Sequence, residues 1–224
     1  AGLVSNKGVE LMLYGTPVKT KDFSFDLTIN MAHNLSEVVE LTPEKKEVIF
    51  NEGESNFIID VGAREGGNLG DIYPIQSYKR DNNGNIIIRD GYPLIEESKG
   101  NDRKAIGNIQ PKLLMSVTPS FAYKGIYLTA LFDMKFGGDI VSMSESVATN
   151  YGMAKRTENR GTITVKGVNE DGTPNTTAVD AESYYKRIAN VAEEFLYDAS
   201  FIKLKELSLG YSFPKTLLKK TPFN

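Results

Sequence analysis

The chain contains no cysteine and no tryptophan, and histidine occurs once, at His33. Disulfides, thiolate nucleophiles and thiolate-bound metals are therefore unavailable within it. A lone histidine also excludes a zinc site built on several imidazoles and a Ser-His-Asp triad made by this chain alone. Charge of one sign is lacking too: the formal net charge is −3 and Lys and Arg form no run, so nothing electrostatic points to nucleic acid. No apolar stretch approaches the roughly eighteen residues of a membrane-spanning helix, which leaves spanning strands untouched. The first residue is alanine, with neither a basic nor an apolar leader segment behind it, so the sequence reads as a processed product or a piece of a longer chain.

What the sequence does have is alternation. From Phe23 to Met31 every odd position is apolar (Phe23, Phe25, Leu27, Ile29, Met31), and the even positions are Ser24, Asp26, Thr28 and Asn30. Successive side chains of a strand point to opposite faces, so one face here is apolar and the other polar. The pattern returns from Ile126 to Phe136, and again at the end, where Leu207, Leu209, Tyr211 and Phe213 alternate with Glu206, Ser208, Gly210 and Ser212. Weaker matches cover Gly8–Tyr14 and Leu113–Tyr123, the latter with Pro119 in mid-run, where a ladder donor is lost.

A β-sandwich also alternates, with one sheet face on the core and the other in water. Two features favour a barrel instead. The runs approach the nine to eleven or so residues a tilted strand needs to cross a bilayer, and the polar positions are mostly small and neutral. The connections agree: Gly15–Asp22, Lys124-Gly125 and Pro214-Lys215 are short, whereas 34–109 and 137–199 are long. Short turns at one end and long loops at the other characterise outer-membrane barrels. Five strands cannot close such a barrel, so the chain is expected to be a segment of one.

In the first long connection, Val38–Leu41 and Glu47–Phe50 are short apolar patches and Asn56–Val61 reads as a strand. Asp81-Asn82-Asn83-Gly84 reads as the turn of a hairpin; its glycine is misplaced for a calcium loop. Gly62–Gly70 is read as a flexible glycine-rich loop rather than a phosphate cradle, and His33 as a hydrogen-bonding residue at the rim. In the second connection, Ala181, Tyr184, Tyr185, Ile188, Val191, Ala192 and Phe195 recur at helical spacing, predicting a helix from about Asp180 to Leu196 with Asp180 as its N-cap. Glu96-Glu97 and Glu193-Glu194 are read as solvated charge.

These residues resemble a known family. Asn6–Leu11, Gly15-Thr16-Pro17 and Phe23–Asn30 are similar to late barrel strands of the SusC/RagA family of TonB-linked outer-membrane proteins. So are Ile106-Gly107-Asn108, Tyr123-Lys124-Gly125, Phe136–Ile140, Tyr151-Gly152 and, most specifically, Tyr197–Lys205 running on to Leu209-Gly210-Tyr211 and Pro214. The resemblance spans nearly the whole chain in order. It implies an all-β fold: about five antiparallel transmembrane strands of a barrel of about twenty-two, with long extracellular loops containing a short helix, so that residues 1–224 are part of one receptor barrel domain. It also implies TonB-dependent uptake of oligosaccharides or peptides across the outer membrane of a Gram-negative bacterium, with a SusD-like surface lipoprotein and the TonB complex as partners. On this resemblance the plug, the TonB-binding segment and the last barrel strands are expected to lie outside this chain. No catalysis, cofactor or metal is expected.

On this reading Asp26, Asn30, Tyr127, Asp133 and Lys135 are candidate lumen-facing residues for substrate, with Thr28 and Thr129 beside them. Phe25, Leu27, Ile29, Val117, Leu128, Ala130, Phe132, Leu207 and Leu209 would face lipid. Strict alternation puts Lys203 and Lys205 on that lipid face as well, with Lys205 reaching the outer interface. A soluble or lipid-anchored β-sandwich module that binds glycan is the rival reading, and a passive porin a third.

Overall fold

The structure, a computed structural model, describes residues 2–50, 58–98 and 103–214. The chain divides into two compact units, one of Ala1–Ser5, Ser36–Gln110 and Asp139–Asp198, the other of Asn6–Leu35, Pro111–Gly138 and Ala199–Asn224. The second holds most of a five-stranded sheet in the order β1 (Leu3–Lys19), β2 (Phe23–Glu40), β3 (Leu113–Tyr123), β4 (Ile126–Phe136) and β5 (Phe201–Tyr211). β1 and β2 are longer than their apolar alternation, so the turn between them shrinks to residues 20–22. The Thr20 hydroxyl closes that turn by accepting from the Phe23 N–H at 3.0 Å.

Antiparallel register from β2 to β5 lines up the odd and even sets as rows. Phe25 lies beside Phe121, which faces Leu128, which faces Leu209; Ile29, Val117 and Phe132 continue to Leu204; Met31, Met115 and Met134 continue to Ile202. At the turn end the rows become aromatic, with Phe23, Tyr123 and Tyr211 in one and the Phe25 and Phe121 rings stacked 4.8 Å apart in the next. Pro119 keeps its place opposite Leu27 on β2, but Thr118 and Pro119 drop out of the pairing with β4, because proline offers no N–H to that side.

The short connections share one end of the sheet. Lys124 N–H donates to Asp22 O at 3.0 Å and Ser212 N–H to Gly125 O at 2.7 Å, tying both turns and the end of β5 together. Lys124 and Gly125 both have positive φ, 47° and 89°, the geometry of a two-residue hairpin that follows strand twist. The predicted turn at Pro214-Lys215 extends outside the described residues. At the opposite end Ala32 pairs with Leu114, Leu113 with Phe136, and Lys135 with Phe201, so both long connections leave from there.

Strict alternation fails in β5. Leu131 pairs with Glu206 but Phe132 with Leu204, so Lys205 is an extra residue and the strand carries a β-bulge. Above it parity reverses: Ile202 and Leu204 join the apolar face and Lys203 the polar one. Lys205 Nζ also reaches the polar face, 3.4 Å from Asp133 Oδ2. The expectation that both lysines share the face of Leu207 and Leu209 is thereby corrected.

In the other unit the two long connections fold together. Glu47–Ile49, Ile59–Arg64, Asp71–Pro74 and Gly107–Asn108 form a four-stranded sheet. The second connection adds α1 (Met143–Asn150), α2 (Ala181–Ile188) and a 3₁₀ turn at Ala192–Phe195. Three small cores each draw on both connections: Ile58, Ile59 and Ile72 with Ala192 and Phe195; Tyr78 with Ile188 and Val191; Ile88 with Val165 and Val179. Full burial of each Ile or Phe contributes about 1.5–3 kcal/mol.

Asp180 caps α2, its carboxylate accepting from Ser183 N–H at 2.8 Å. The helix stops at Ile188, short of the predicted Leu196, because Val191 turns extended (φ −91°, ψ 107°) and buries fully in the Tyr78 cluster. α1 has no apolar stripe to predict it; its inward positions are Ser146 and Thr149, and Ser146 Oγ donates to Ala189 O at 2.7 Å. The Asp81–Gly84 turn forms, and the Asp81 carboxylate closes it by accepting from the N–H of Asn83 and of Asn85 at 2.9 and 2.8 Å. Gly62–Gly70 is a pinned turn rather than a loose loop: Gly66 N–H donates to Val38 O and Gly70 N–H to Gly62 O.

Candidate functional site: the polar face of the sheet

Register alone assembles the polar face, because residues directly opposite in antiparallel strands point the same way. Asp26, Ser120, Thr129 and Ser208 form one row, and Asn30, Ser116, Asp133 and Lys203 another. Tyr127 shares the turn-end row with Ala122 and Gly210, and Lys135 the opposite row with Leu114 and Phe201. All five candidate residues therefore lie on one face, spread over its length rather than gathered at a point.

Hydrogen bonds knit the face laterally. Thr16 Oγ1 donates to Asp26 Oδ1 at 2.6 Å, with the Tyr14 hydroxyl donating to the same oxygen at 3.3 Å. Asn30 Nδ2 donates to Ser116 Oγ at 3.2 Å and Thr129 Oγ1 to Ser120 Oγ at 3.1 Å. Lys203 Nζ lies 3.6 Å and Lys205 Nζ 3.4 Å from Asp133 Oδ2. An open groove of about 620 Å³ is lined by Glu10, Met12, Asn30, Ser116 and Asp133 together with Leu11, Met31 and Met115 of the apolar alternation. Ser116, Glu10 and the two lysines escape the sequence reading as site residues. The lysines had a signal: the apolar positions step by three from Leu204 to Leu207.

The opposite face carries Leu207 and Leu209, which are 64% and 74% exposed. No helix among the described residues is long and apolar enough to cross a membrane, which leaves the strands free to do so.

Three of the motifs that carry the family resemblance, Ile106–Asn108, Phe136–Ile140 and Tyr197–Lys205, are hydrogen-bonded to one another. Gly137 N–H donates to Ser200 Oγ at 2.7 Å and Ala199 N–H to Gly138 O at 2.9 Å. In the loop unit Asn108 N–H donates to Asp139 Oδ2 at 2.9 Å, and Asn108 Nδ2 to Asp71 Oδ1 at 2.8 Å. A Cβ on Gly107 would stand 2.7 Å from Asp139 Oδ2, so that approach requires glycine. His33 sits at the same end of the sheet, its Nδ1–H donating to Lys112 O at 2.5 Å. The Tyr197 hydroxyl donates to Glu145, which is also paired with Arg156. Arg156 reaches Glu194 as well, while Glu193 binds Arg80 at 2.7 Å. The Glu193-Glu194 pair is therefore an anchor of the loop unit rather than solvated charge; Glu96 and Glu97 are exposed. A separate cleft of about 380 Å³ in that unit is lined by Tyr151, Tyr185, Asn150, Asn159 and Arg160.

No protein-family model matches the chain. It is 25% identical, across 98% of its length, to TonB-dependent receptor P3 of Formosa agariphila, and 24% identical, across 95%, to TonB-dependent receptor SusC of Bacteroides thetaiotaomicron. The chain spans about a quarter of these relatives, 23% and 21% of their lengths. Among solved structures, the RagAB peptide importer in its closed-closed state matches 99% of the chain and 24% of its own, at TM-score 0.63 and 20% identity. A second RagAB structure matches at TM-score 0.58. At such identity the structural likeness speaks for the fold alone: an antiparallel sheet like that of a RagAB barrel segment. By sequence along nearly its whole length, and by fold, the chain matches a segment of the SusC/RagA-type TonB-dependent receptors that its own motifs resemble.

Proposed function

We propose that this chain is part of one β-barrel domain of a TonB-dependent importer in the outer membrane of a Gram-negative bacterium, and that it takes up oligosaccharides or peptides with a SusD-like surface lipoprotein. The observation that carries this reading is the sorting of two faces over five adjacent strands, one an exposed apolar wall ending in aromatics and the other a hydrogen-bonded polar wall. Polar oligomers cannot cross hydrocarbon unaided, and a barrel with such walls supplies both an outer surface for lipid and a wet path. The relatives named as TonB-dependent receptors support the energy source, and RagAB, named a peptide importer, supports oligomeric cargo. Asp26, Asn30, Tyr127, Asp133 and Lys135 would then line the path.

The test is uptake of fluorescently labelled oligosaccharides and peptides by cells carrying the complete native gene. Uptake of one class is expected, and it should stop when TonB is deleted and fall when the co-purifying lipoprotein is removed. Uptake that persists without TonB would identify a passive porin. Recovery of the complete protein from buffer as a soluble monomer would identify a sandwich module.

A further inference from the structure

Two ammonium groups crowd one carboxylate at the bulge, and a third lysine shares their face. Lys203 is the Cα partner of Asp133, and Lys135 follows two residues along β4 on the same face. Lys203 and Lys205 approach the same oxygen, Asp133 Oδ2, at 3.6 and 3.4 Å. Both distances exceed the roughly 2.7–2.9 Å of a well-made charge-assisted bond. Their side chains are 54% and 58% exposed, and each ammonium carries three donors. Lys203 Nζ also stands 4.6 Å from the centre of the Phe201 ring, opposite Lys135. Two further acids share the polar face: Glu206, across from Leu131 on the far side of the bulge, and Glu10, on the groove's lining. Were Lys205 paired in regular register, Lys203 would point to the apolar side; bulging Lys205 out keeps Lys203 on the polar wall opposite Asp133.

Resting on the importer reading, we propose that Lys135, Lys203 and Lys205 form a station on the lumen wall for a carboxylate carried by the passing oligomer. Asp133 shows that both lysines of β5 can converge on a carboxylate oxygen; it holds them loosely and leaves donors over for a second one. A neutral oligomer would gain only the weaker hydrogen bonds that an uncharged acceptor makes, so the station favours acidic cargo.

The test uses the complete protein with Phe201→Cys as its sole cysteine; this chain contributes no native cysteine, and any elsewhere in the protein is first replaced by serine. Assembly is first checked by heat-modifiable gel mobility. Labelling rates are measured with an anionic sulfonatoethyl and a cationic trimethylammonioethyl methanethiosulfonate, each relative to free cysteine. The anionic reagent should be favoured about fivefold, the size of one poorly screened unit charge at short range. Lys203→Gln with Lys205→Gln should abolish the preference, Lys135→Gln alone should reduce it, and glutarate at constant ionic strength should slow the anionic reagent. A ratio equal to that of free cysteine, no change in the lysine variants, or no protection by glutarate would overturn the station. Leu209→Cys separates the two readings: if it labels from water as readily as Phe201→Cys, the importer reading falls; if it stays unreactive while Phe201→Cys shows no charge preference, only the station falls.

Discussion

Lys203 and Asp133 face each other across β5 and β4, ammonium to carboxylate oxygen 3.6 Å, while the next residue, Leu204, meets Phe132 on the opposite face. The rows from Ile29 to Leu204 and from Met31 to Ile202 therefore run apolar across four strands. A lysine on a lipid face costs about 2–4 kcal/mol at the bilayer midplane. Near the interface, at the end of β5 that carries Lys203, the cost falls to about 0–1 kcal/mol, and with Lys205 bulged out of register Lys203 adds a cation to the polar wall.

Deleting Lys205 should therefore be tolerated. It joins Leu204 directly to Glu206, so Ile202, Leu204, Leu207 and Leu209 alternate strictly with Lys203, Glu206 and Ser208 and every row keeps its face. Near-native assembly in outer-membrane fractions is expected for the deletion and for Lys205→Ala alike, by heat-modifiable mobility. Loss of assembled barrel in the deletion alone would show that the bulge itself, and not the sorting of faces, is required.

Leu209 and Ser208 are neighbours on opposite faces, across from Leu128 and Thr129. Leu209→Lys places a charge on the apolar wall and should lower assembly strongly, by about 2–4 kcal/mol if the site lies near the midplane. Ser208→Lys adds a charge to the polar wall and should assemble nearly as well as the native protein. The same gel assay compares them, and a reversed order would reverse the faces.

The strands, their order and their faces were legible because alternation over nine to eleven residues has one physical cause, a sheet with unlike sides. The bulge was legible too, in the step of three from Leu204 to Leu207, but one period laid over all of β5 hides it. α1 was not legible: its buried positions are Ser146 and Thr149, so no apolar stripe marks it. Nor was the loop unit, since Phe195 with Ile72 and Val191 with Tyr78 are partners far apart in sequence that no local pattern connects. The five candidate residues were legible as one face; the Lys203–Lys205 contribution to it depends on register, which alternation alone does not fix.

Asp139 accepts from the N–H of Asn108, one residue from the glycine it crowds. Asp139→Ala leaves that N–H without its acceptor and should destabilise the loop unit by about 1–3 kcal/mol. Gly107→Val should act on the same contact by steric displacement, since its Cβ would meet the Asp139 carboxylate. Limited proteolysis of the complete protein should show earlier cleavage within 58–98 and 139–198 in both variants, with the barrel strands protected as before. Unchanged cleavage would mean that this contact is not what holds the loop ends.

The loop unit should also loosen in alkali, since four of its tyrosines, Tyr73, Tyr78, Tyr184 and Tyr197, have raised pKa values, and Tyr78 and Tyr184 mark the window. Burial is the leading cause that pushes the Tyr184 hydroxyl up to about 12, and burial, with the Glu194 charge next, pushes Tyr78 higher still. A tyrosine with a raised folded pKa stays protonated where the unfolded chain, at about 10, has already lost its proton. The folded state then binds more protons than the unfolded one, so stability falls as pH rises above about 10 and is unaffected below it. Near-neutral behaviour should thus be flat, with loop-unit protection against proteolysis declining from about pH 10 toward 12. Tyr78→Phe removes one of these groups and also the hydroxyl's 2.8 Å bond to Glu194. It should cost about 1 kcal/mol at neutral pH and make the alkaline decline shallower. A decline equally steep in Tyr78→Phe would remove Tyr78 from the explanation.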